Sequence, residues 1–375
     1  MFRILHMSLA LYRKYRPRLL KDLIGQEMVV TVLKNASRQN RLSHAYLFCG
    51  PRGTGKTTAA RILAKIANCE IVQKDGEPCN TCASCQKIDA GRALNIIEID
   101  AASNRGIDEI RELKEGARAS PAGGRYKVFI IDEAHMLTPP AWNALLKTLE
   151  EPPAHVLLIL ATTEFEKIPA TIVSRTQKHY FKRLTLPLMV KKLTVIAAAE
   201  KIKIDAAAVE LIAASAEGGM RDAESLLDQL TALSDENEPR NNQITVETVE
   251  KLTGGAGFQK ISRLADLIIR KELAETLRLI VDLNDGGHNL VDLTKELTSY
   301  LRRALTLRLD PGLADLYENY LTRDQLEQLK KHSERLPPET ALPLLKSLIR
   351  ALSEMRYSPL IMVPLEVAII ENLKK

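Results

Sequence analysis

Residues 50–57 read Gly-Pro-Arg-Gly-Thr-Gly-Lys-Thr, a complete phosphate-binding loop, and no other stretch constrains the chain so tightly. Such a loop works only between a buried strand and a helix. The apolar run Ala45-Tyr46-Leu47-Phe48-Cys49 predicts the strand, and the pattern over 58–67 predicts the helix. With both flanks in place, a chance Gly-rich turn is the weaker reading. Glycines let backbone N–H groups turn inward on a phosphate chain, and the helix aims its positive end at the same charge. Gly50, Pro51, Arg52, Gly53, Thr54, Gly55, Lys56, Thr57 and Thr58 are therefore candidate nucleotide contacts. Lys56 is placed for the β- and γ-phosphates and Thr57 for Mg²⁺, so ATP and Mg²⁺ are the expected cofactors.

A second strand motif complements the loop. Residues 128–133 read Val-Phe-Ile-Ile-Asp-Glu: four apolar residues suited to a strand buried on both faces, then two carboxylates at its C-terminal end. Asp132 is the candidate for positioning Mg²⁺, and Glu133 the candidate general base. An acidic pair that only caps the next helix is the competing reading. Further strands are predicted over 94–99 and 156–160, and helices over 107–118 and 141–149, with Pro152-Pro153 as a turn. This alternation implies a parallel α/β sheet. After Arg183 strand signals stop. Three or four short helices are expected over 186–230 and a loop over 234–243. From Phe258 onward the spacing is helical, as at Ile261, Leu264, Ala265, Leu267 and Ile268, with breaks at Pro311, Pro337-Pro338, Pro359 and Pro364. The expected domains are an α/β nucleotide-binding domain at 1–183, a small helical domain at 184–250 and a second helical domain at 251–375.

Four of the five cysteines, Cys69, Cys79, Cys82 and Cys85, form C-x9-C-x2-C-x2-C between the first helix and second strand. Four thiolates suit a closed tetrahedral Zn²⁺ site with a structural role, making 69–85 a zinc-binding insertion; an iron–sulfur cluster or a redox pair are the rivals. Cys49 reads as a small buried side chain. Composition is that of an ordinary soluble protein, 45% apolar and 27% charged, and the net charge of +6 decides nothing. No apolar run approaches the ~18 residues of a membrane span. The N-terminus lacks the pattern of a secretory signal, and Met7 offers a second start that would leave 1–6 as a tail. A cytoplasmic location is expected.

The order strand, GPRGTGKT, strand, DEAH, strand, Ala161-Thr162-Thr163 resembles the AAA+ ATPases. YRKYRP at 12–17, GQE at 25–27, HAYLFCGPRGTGKT at 44–57, the four cysteines, EIDAAS at 98–103, DEAHML at 132–137, LLKTLEEPP at 145–153, SRT at 174–176 and GGMRDAESLLDQ at 218–229 narrow the likeness. Together they resemble the gamma/tau subunit family of the bacterial DNA polymerase III clamp loader. The likeness is dense over 12–230 and thinner beyond. It implies an α/β AAA+ domain, a helical lid and an all-helical C-terminal collar that oligomerises. It implies an ATPase subunit that drives opening of the sliding clamp and its loading onto primed DNA during replication. By that likeness Thr163, with Thr162 its neighbour, is the first sensor of the γ-phosphate, Arg221 the second sensor, and Arg175 an arginine finger presented to the next subunit. The family's Ser-Arg-Cys is Ser-Arg-Thr here, with Thr176 in place of the cysteine. Implied partners are the delta and delta prime subunits, further gamma/tau copies, the beta sliding clamp and primer–template DNA. The long tau tail is absent from these residues, so the likeness is to the short gamma form; contact with the polymerase core would need that tail.

The predicted helix at 107–118 carries Ile107, Ile110 and Leu113 on one face and Arg111, Lys114 and Arg118 on another, with Arg105 just ahead. This stripe fits DNA phosphates or an ordinary solvated face interleaved with Glu112 and Glu115. Alternative functions are an AAA+ DNA helicase or translocase and a protein-remodelling ATPase. Against the first stands the single nucleotide core. Against the second stands the absence of any aromatic residue from Ser103 to Gly124, where a pore loop would lie. A non-catalytic scaffold is opposed by the presence of Lys56, Thr57, Asp132 and Glu133.

Overall fold

The structure is a computed structural model that describes residues 9–104, 106–233, 243–253 and 257–374. The chain divides into two compact units, one of residues 1–188 with 218–225, the other of 189–217 with 226–375.

The first unit is built on a five-stranded sheet: β1 (Ala45–Cys49), β2 (Ile96–Asp100), β3 (Lys127–Asp132), β4 (Val156–Thr162) and β5 (Gln177–Tyr180). All pairs are parallel and the spatial order is β2-β3-β4-β1-β5. The central strands are continuous apolar runs because each face packs on helices. Alternate residues divide between two cores. Leu47, Phe129, Ile131, Leu158 and Leu160 face one that holds Ile110 and Leu145; Tyr46, Phe48, Val128, Ile130, Leu157 and Ile159 face the other, with Leu33, Ile62 and Leu63.

The predicted strands and helices are present, with shifted ends. The helix after the phosphate loop begins at Lys56 and runs to Asn68, and β2 begins at Ile96, leaving Leu94 82% exposed. One strand, β5, had no signal: its residues Gln-Lys-His-Tyr are polar, and only His179 is buried. It pairs outside β1 as an edge strand, where one wet face removes the apolar pattern. Helix Ile107–Arg118 buries Ile110, Leu113 and Ala117 and exposes Arg118, with Lys114 half-buried; Arg105 lies outside the described residues, as do residues 1–8 and 234–242.

The second unit is helical. Three helices, Leu186–Ala199, Ala206–Ser215 and Met220–Leu233, span the stretch predicted as three or four, the first and last straddling the unit boundary. Beyond them, Gly257–Ile269, Leu273–Asp285, Leu290–Leu309, Arg323–Arg335, Pro338–Met355 and Met362–Leu373 share one core that includes Ile261, Leu264, Leu297, Leu301, Leu329, Leu348 and Ile369. Asn289 caps the longest of these, accepting from the N–H groups of Val291 and Asp292. Pro337-Pro338 marks the expected break, between the helix ending at Arg335 and the one that Pro338 opens. Pro364 marks no break: it sits in the first turn of the last helix, where its missing N–H costs nothing. No described helix is long and apolar enough to cross a membrane.

Candidate functional site

Sheet order creates the site. β4 lies between β1 and β3, with Cys49 level with Thr162 and Ile131 with Leu160. The loop after β1, the carboxylates after β3 and the threonines after β4 therefore emerge side by side at the C-terminal edge, where parallel α/β sheets hold ligands.

Gly50 to Gly55 form the turn, and Lys56, Thr57 and Thr58 open the helix behind it. Thr54 is 4% exposed, and its hydroxyl donates to the Pro51 carbonyl at 2.8 Å. Arg52 points outward, its side chain 71% exposed, 3.9 Å from Asp222. Lys56 is buried, with Nζ donating to the Gly50 and Pro51 carbonyls at 2.7 and 2.8 Å. Burial pushes its ammonium below the ordinary lysine value, while Glu133 and Asp132 pull it back up. This is a buried cation held by weak acceptors, for which phosphate oxygens are stronger partners.

The Thr57 hydroxyl donates to Asp132 Oδ2 at 2.7 Å, and the N–H of Glu133 donates to Asp132 Oδ1 at 3.0 Å. A hydroxyl and a carboxylate in contact are the oxygen donors that a hard cation such as Mg²⁺ takes. Glu133 has left-handed backbone angles, φ 48° and ψ 44°, which cost a non-glycine residue roughly 1 kcal/mol. Its Oε2 accepts the Thr163 hydroxyl at 2.9 Å and the Thr163 N–H at 3.3 Å. Thr162 is fully buried, and its hydroxyl meets His135 Nδ1 at 3.1 Å. Of the two threonines, Thr163 is thus the one on the candidate base.

The structure also brings Arg221 to this edge. The turn 218–220 touches the phosphate loop: the Met220 N–H donates to the Gly53 carbonyl at 3.1 Å. A Cβ on Gly53, whose φ is +76°, would stand 2.9 Å from Gly219 Cα, so only glycine allows this approach. Arg221 lies over the Tyr12 ring, 4.9 Å from its centroid. Nearby, Arg61 makes two 2.7 Å hydrogen bonds to Glu98. Burial, and then the Arg61 charge, push Arg16 below its ordinary value. Arg175 is placed apart from the loop. Its guanidinium bonds the Thr171 carbonyl at 2.8 Å and Glu150 at 2.9 Å. Tyr12 and His135 carry no signal of their own in the sequence beyond the motifs that contain them, because the role of each depends on a distant contact partner.

The cysteine Sγ atoms of Cys69, Cys79, Cys82 and Cys85 all lie within 4.8 Å of one another. Cys79 and Cys85 Sγ are 3.9 Å apart, close to the ~3.8 Å edge of a tetrahedron with Zn–S bonds of about 2.3 Å. Backbone N–H groups of Cys79, Cys82 and Cys85 point at the sulfurs of Cys69, Cys79 and Cys82 at 3.3, 3.3 and 3.4 Å. Burial pushes the Cys69 and Cys85 thiols up. It also acts on Cys79, but there the Thr81 and Cys82 N–H groups prevail and bring the thiol down to about 6. Four converging sulfurs with N–H donors fit a structural Zn²⁺.

The fold and the phosphate-loop edge define a nucleotide-binding domain of the AAA+ ATPase class. Three families match in succession: "DNA polymerase III, delta subunit" over 25–185, "DNA polymerase III clamp loader subunit, ATPase lid domain" over 189–236, and "DNA polymerase III subunits gamma and tau domain III" over 244–374. The chain is 41% identical over 362 residues to DNA polymerase III subunit tau of Bacillus subtilis, covering 96% of this chain and 62% of that protein. It is 36% identical over 349 residues to the tau subunit of Escherichia coli, covering 93% and 53%. A solved structure of RuvB from Thermotoga maritima is similar at 21% identity and TM-score 0.49, over 68% of this chain and 79% of that one. The chain belongs to the gamma/tau family of bacterial DNA polymerase III clamp-loader subunits, and it spans about three-fifths of the first of these relatives and about half of the second.

Proposed function

We propose that the chain is an ATP-binding and ATP-hydrolysing subunit of a DNA polymerase III clamp loader, opening a sliding clamp and loading it onto primed DNA. The carrying observation is the meeting of Lys56, Thr57, Asp132, Glu133 and Thr163 at one sheet edge in a chain of this family. The loop N–H groups and Lys56 bind the phosphates. Thr57 and Asp132 would hold Mg²⁺, which when bound neutralises charge on the β- and γ-oxygens. Glu133 orients and polarises the attacking water. Thr163 reads the γ-phosphate, and Arg221, reached through the turn on Gly53, reads it from the 218–220 side. Arg175 serves a neighbour's nucleotide; its bond to the exposed Glu150 is weak enough to exchange. Cys69, Cys79, Cys82 and Cys85 hold Zn²⁺ as a structural brace.

In this reading 1–183 is the AAA+ domain, 184–250 the lid and 251–375 the oligomerising collar. The delta and delta prime subunits, further copies of the chain, the clamp and primer–template DNA are the partners. Because the clamp must be held open in one nucleotide state and released in another, ATP must differ in affinity for the two assemblies. ATPase rates of the reconstituted assembly, with and without clamp and primed DNA, test the proposal. Stimulation by both together is expected; a rate indifferent to the clamp refutes it.

A further inference from the structure

The DEAH run places a histidine two residues beyond the candidate base, and the phosphate-loop chemistry leaves that side chain unused. The His135 side chain is 6% exposed, with Nδ1 3.4 Å from Glu133 Oε2. The same Nδ1 lies 3.1 Å from Thr162 Oγ1, and Nε2 lies 3.1 Å from Glu164 Oε1. Glu164 is held from its other oxygen by Lys167 at 2.8 Å. The Thr162 oxygen accepts the Glu164 N–H at 3.0 Å and keeps a second lone pair and its own hydrogen for the contact with Nδ1. Glu164 holds Nε2 and Thr162 holds Nδ1, so the ring is fixed through both nitrogens. The fixed ring stands with Nδ1 beside the Glu133 carboxylate. On its other side Glu133 Oε2 accepts two hydrogen bonds from Thr163.

We propose that His135 is a positioning residue for Glu133. Fixed by Glu164 behind it and Thr162 beside it, the imidazole closes one side of the carboxylate's swing and leaves Thr163 as its resting place. The Thr163 hydroxyl has one proton and cannot donate to Glu133 and a γ-phosphate oxygen at once. A phosphate that claims the hydroxyl releases Glu133, and the buried ring sends it toward the attacking water rather than away. Sensing and activation of the base are then one exchange of a hydrogen bond. The inference rests on the reading of Glu133 as base and Thr163 as sensor.

Misplacing a reacting group by about an ångström costs on the order of 10²-fold in rate. Single-turnover ATP hydrolysis and ATP affinity are measured on the full chain in its reconstituted assembly, for wild type, His135→Asn, His135→Gln, Glu133→Gln and the double variants. Asn retains a polar atom near the Nδ1 position, Gln one near Nε2. The expected result is a hydrolysis rate down 10- to 100-fold in His135→Gln and less in His135→Asn, with ATP affinity and melting temperature close to wild type. In the Glu133→Gln background the same substitutions should add no further loss, because a residue acting through Glu133 has nothing left to position. Unchanged hydrolysis in both single variants, loss that follows affinity or melting temperature, or additive losses in the double variants would each overturn the positioning role. A Glu133→Gln variant as active as wild type would instead overturn the base assignment beneath it.

Discussion

Glu77 ties the cysteine insertion to the N-terminal segment, and its removal should be among the costliest single changes in the first unit. It is 2% exposed. Its Oε2 accepts the Leu20 N–H at 2.7 Å and its Oε1 the Lys21 N–H at 2.8 Å. Leu20 is itself fully buried in the core beneath the phosphate-loop helix. Hydrogen bonds to a charged group contribute about 1.5–3 kcal/mol each, and the Leu20 N–H would be left buried without its acceptor. With Lys21 exposed, its bond lies at the low end of that range, and Glu77→Ala should cost about 3–4 kcal/mol. The Lys34 ion pair at 3.2 Å adds little, since Lys34 keeps Asp75 at 3.1 Å. Asp75 is 54% exposed, so Asp75→Ala should cost under about 1 kcal/mol. Global melting of a two-unit chain is a poor reporter, whereas native-state hydrogen exchange reads the two amides directly. Protection at Leu20 and Lys21 should fall by two to three decades at ~1.4 kcal/mol each, and by about half as many in Glu77→Gln, which keeps one acceptor oxygen. Unaltered protection in Glu77→Ala would show that these bonds hold nothing in place.

Acid should weaken the sheet edge through His179: burial between Tyr46 and Phe48 depresses its pKa from 6.5 to about 4, so the unfolded chain binds the proton first. About 3 kcal/mol of stability is then present in full above pH 6.5 and lost as pH falls toward 4, and His179→Leu should flatten that slope in pH-dependent denaturation; equal slopes refute it. Elemental analysis should find one zinc per chain, and Cys82→Ser should lose it and loosen 69–85, since such sites contribute on the order of 10 kcal/mol to local folding; iron, or four free thiols without metal, refutes this. Arg175→Ala should bind ATP normally yet hydrolyse it roughly 10³-fold more slowly in the assembly. Mixed with Lys56→Ala subunits it should regain activity at interfaces that pair an intact loop with an intact arginine; mixed oligomers that stay inactive refute action across an interface.

What the sequence disclosed follows from where its signals are local. β1, β3 and β4 are buried on both faces, so their apolar runs stand out, and a phosphate loop after one and two carboxylates after another are contiguous motifs. β5 carries no such run because Gln177, Lys178 and Tyr180 are exposed and His179 alone is buried. The geometry between Glu133 and Thr163 depends on β4 lying beside β3, which strand order decides and periodicity cannot. Tyr12 under Arg221 is further still from any local pattern, since nothing in the spacing of either segment requires that they meet.

Asp132, Glu133 and Thr163 are fixed by strand register, and a register slip would turn every neighbouring side chain to the wrong core. Arg221 has no such ladder. Its place depends on the hydrogen bond from Met220 to Gly53 and on the backbone contact between Gly53 and Gly219. A loop that rearranges around phosphate shifts the Gly53 carbonyl, and the turn carrying Arg221 must either follow it or give up that bond. Glycine at 53 is therefore required twice over, by its positive φ and by the backbone it meets. Gly53→Ala should disturb the placement of Arg221 as much as the loop itself.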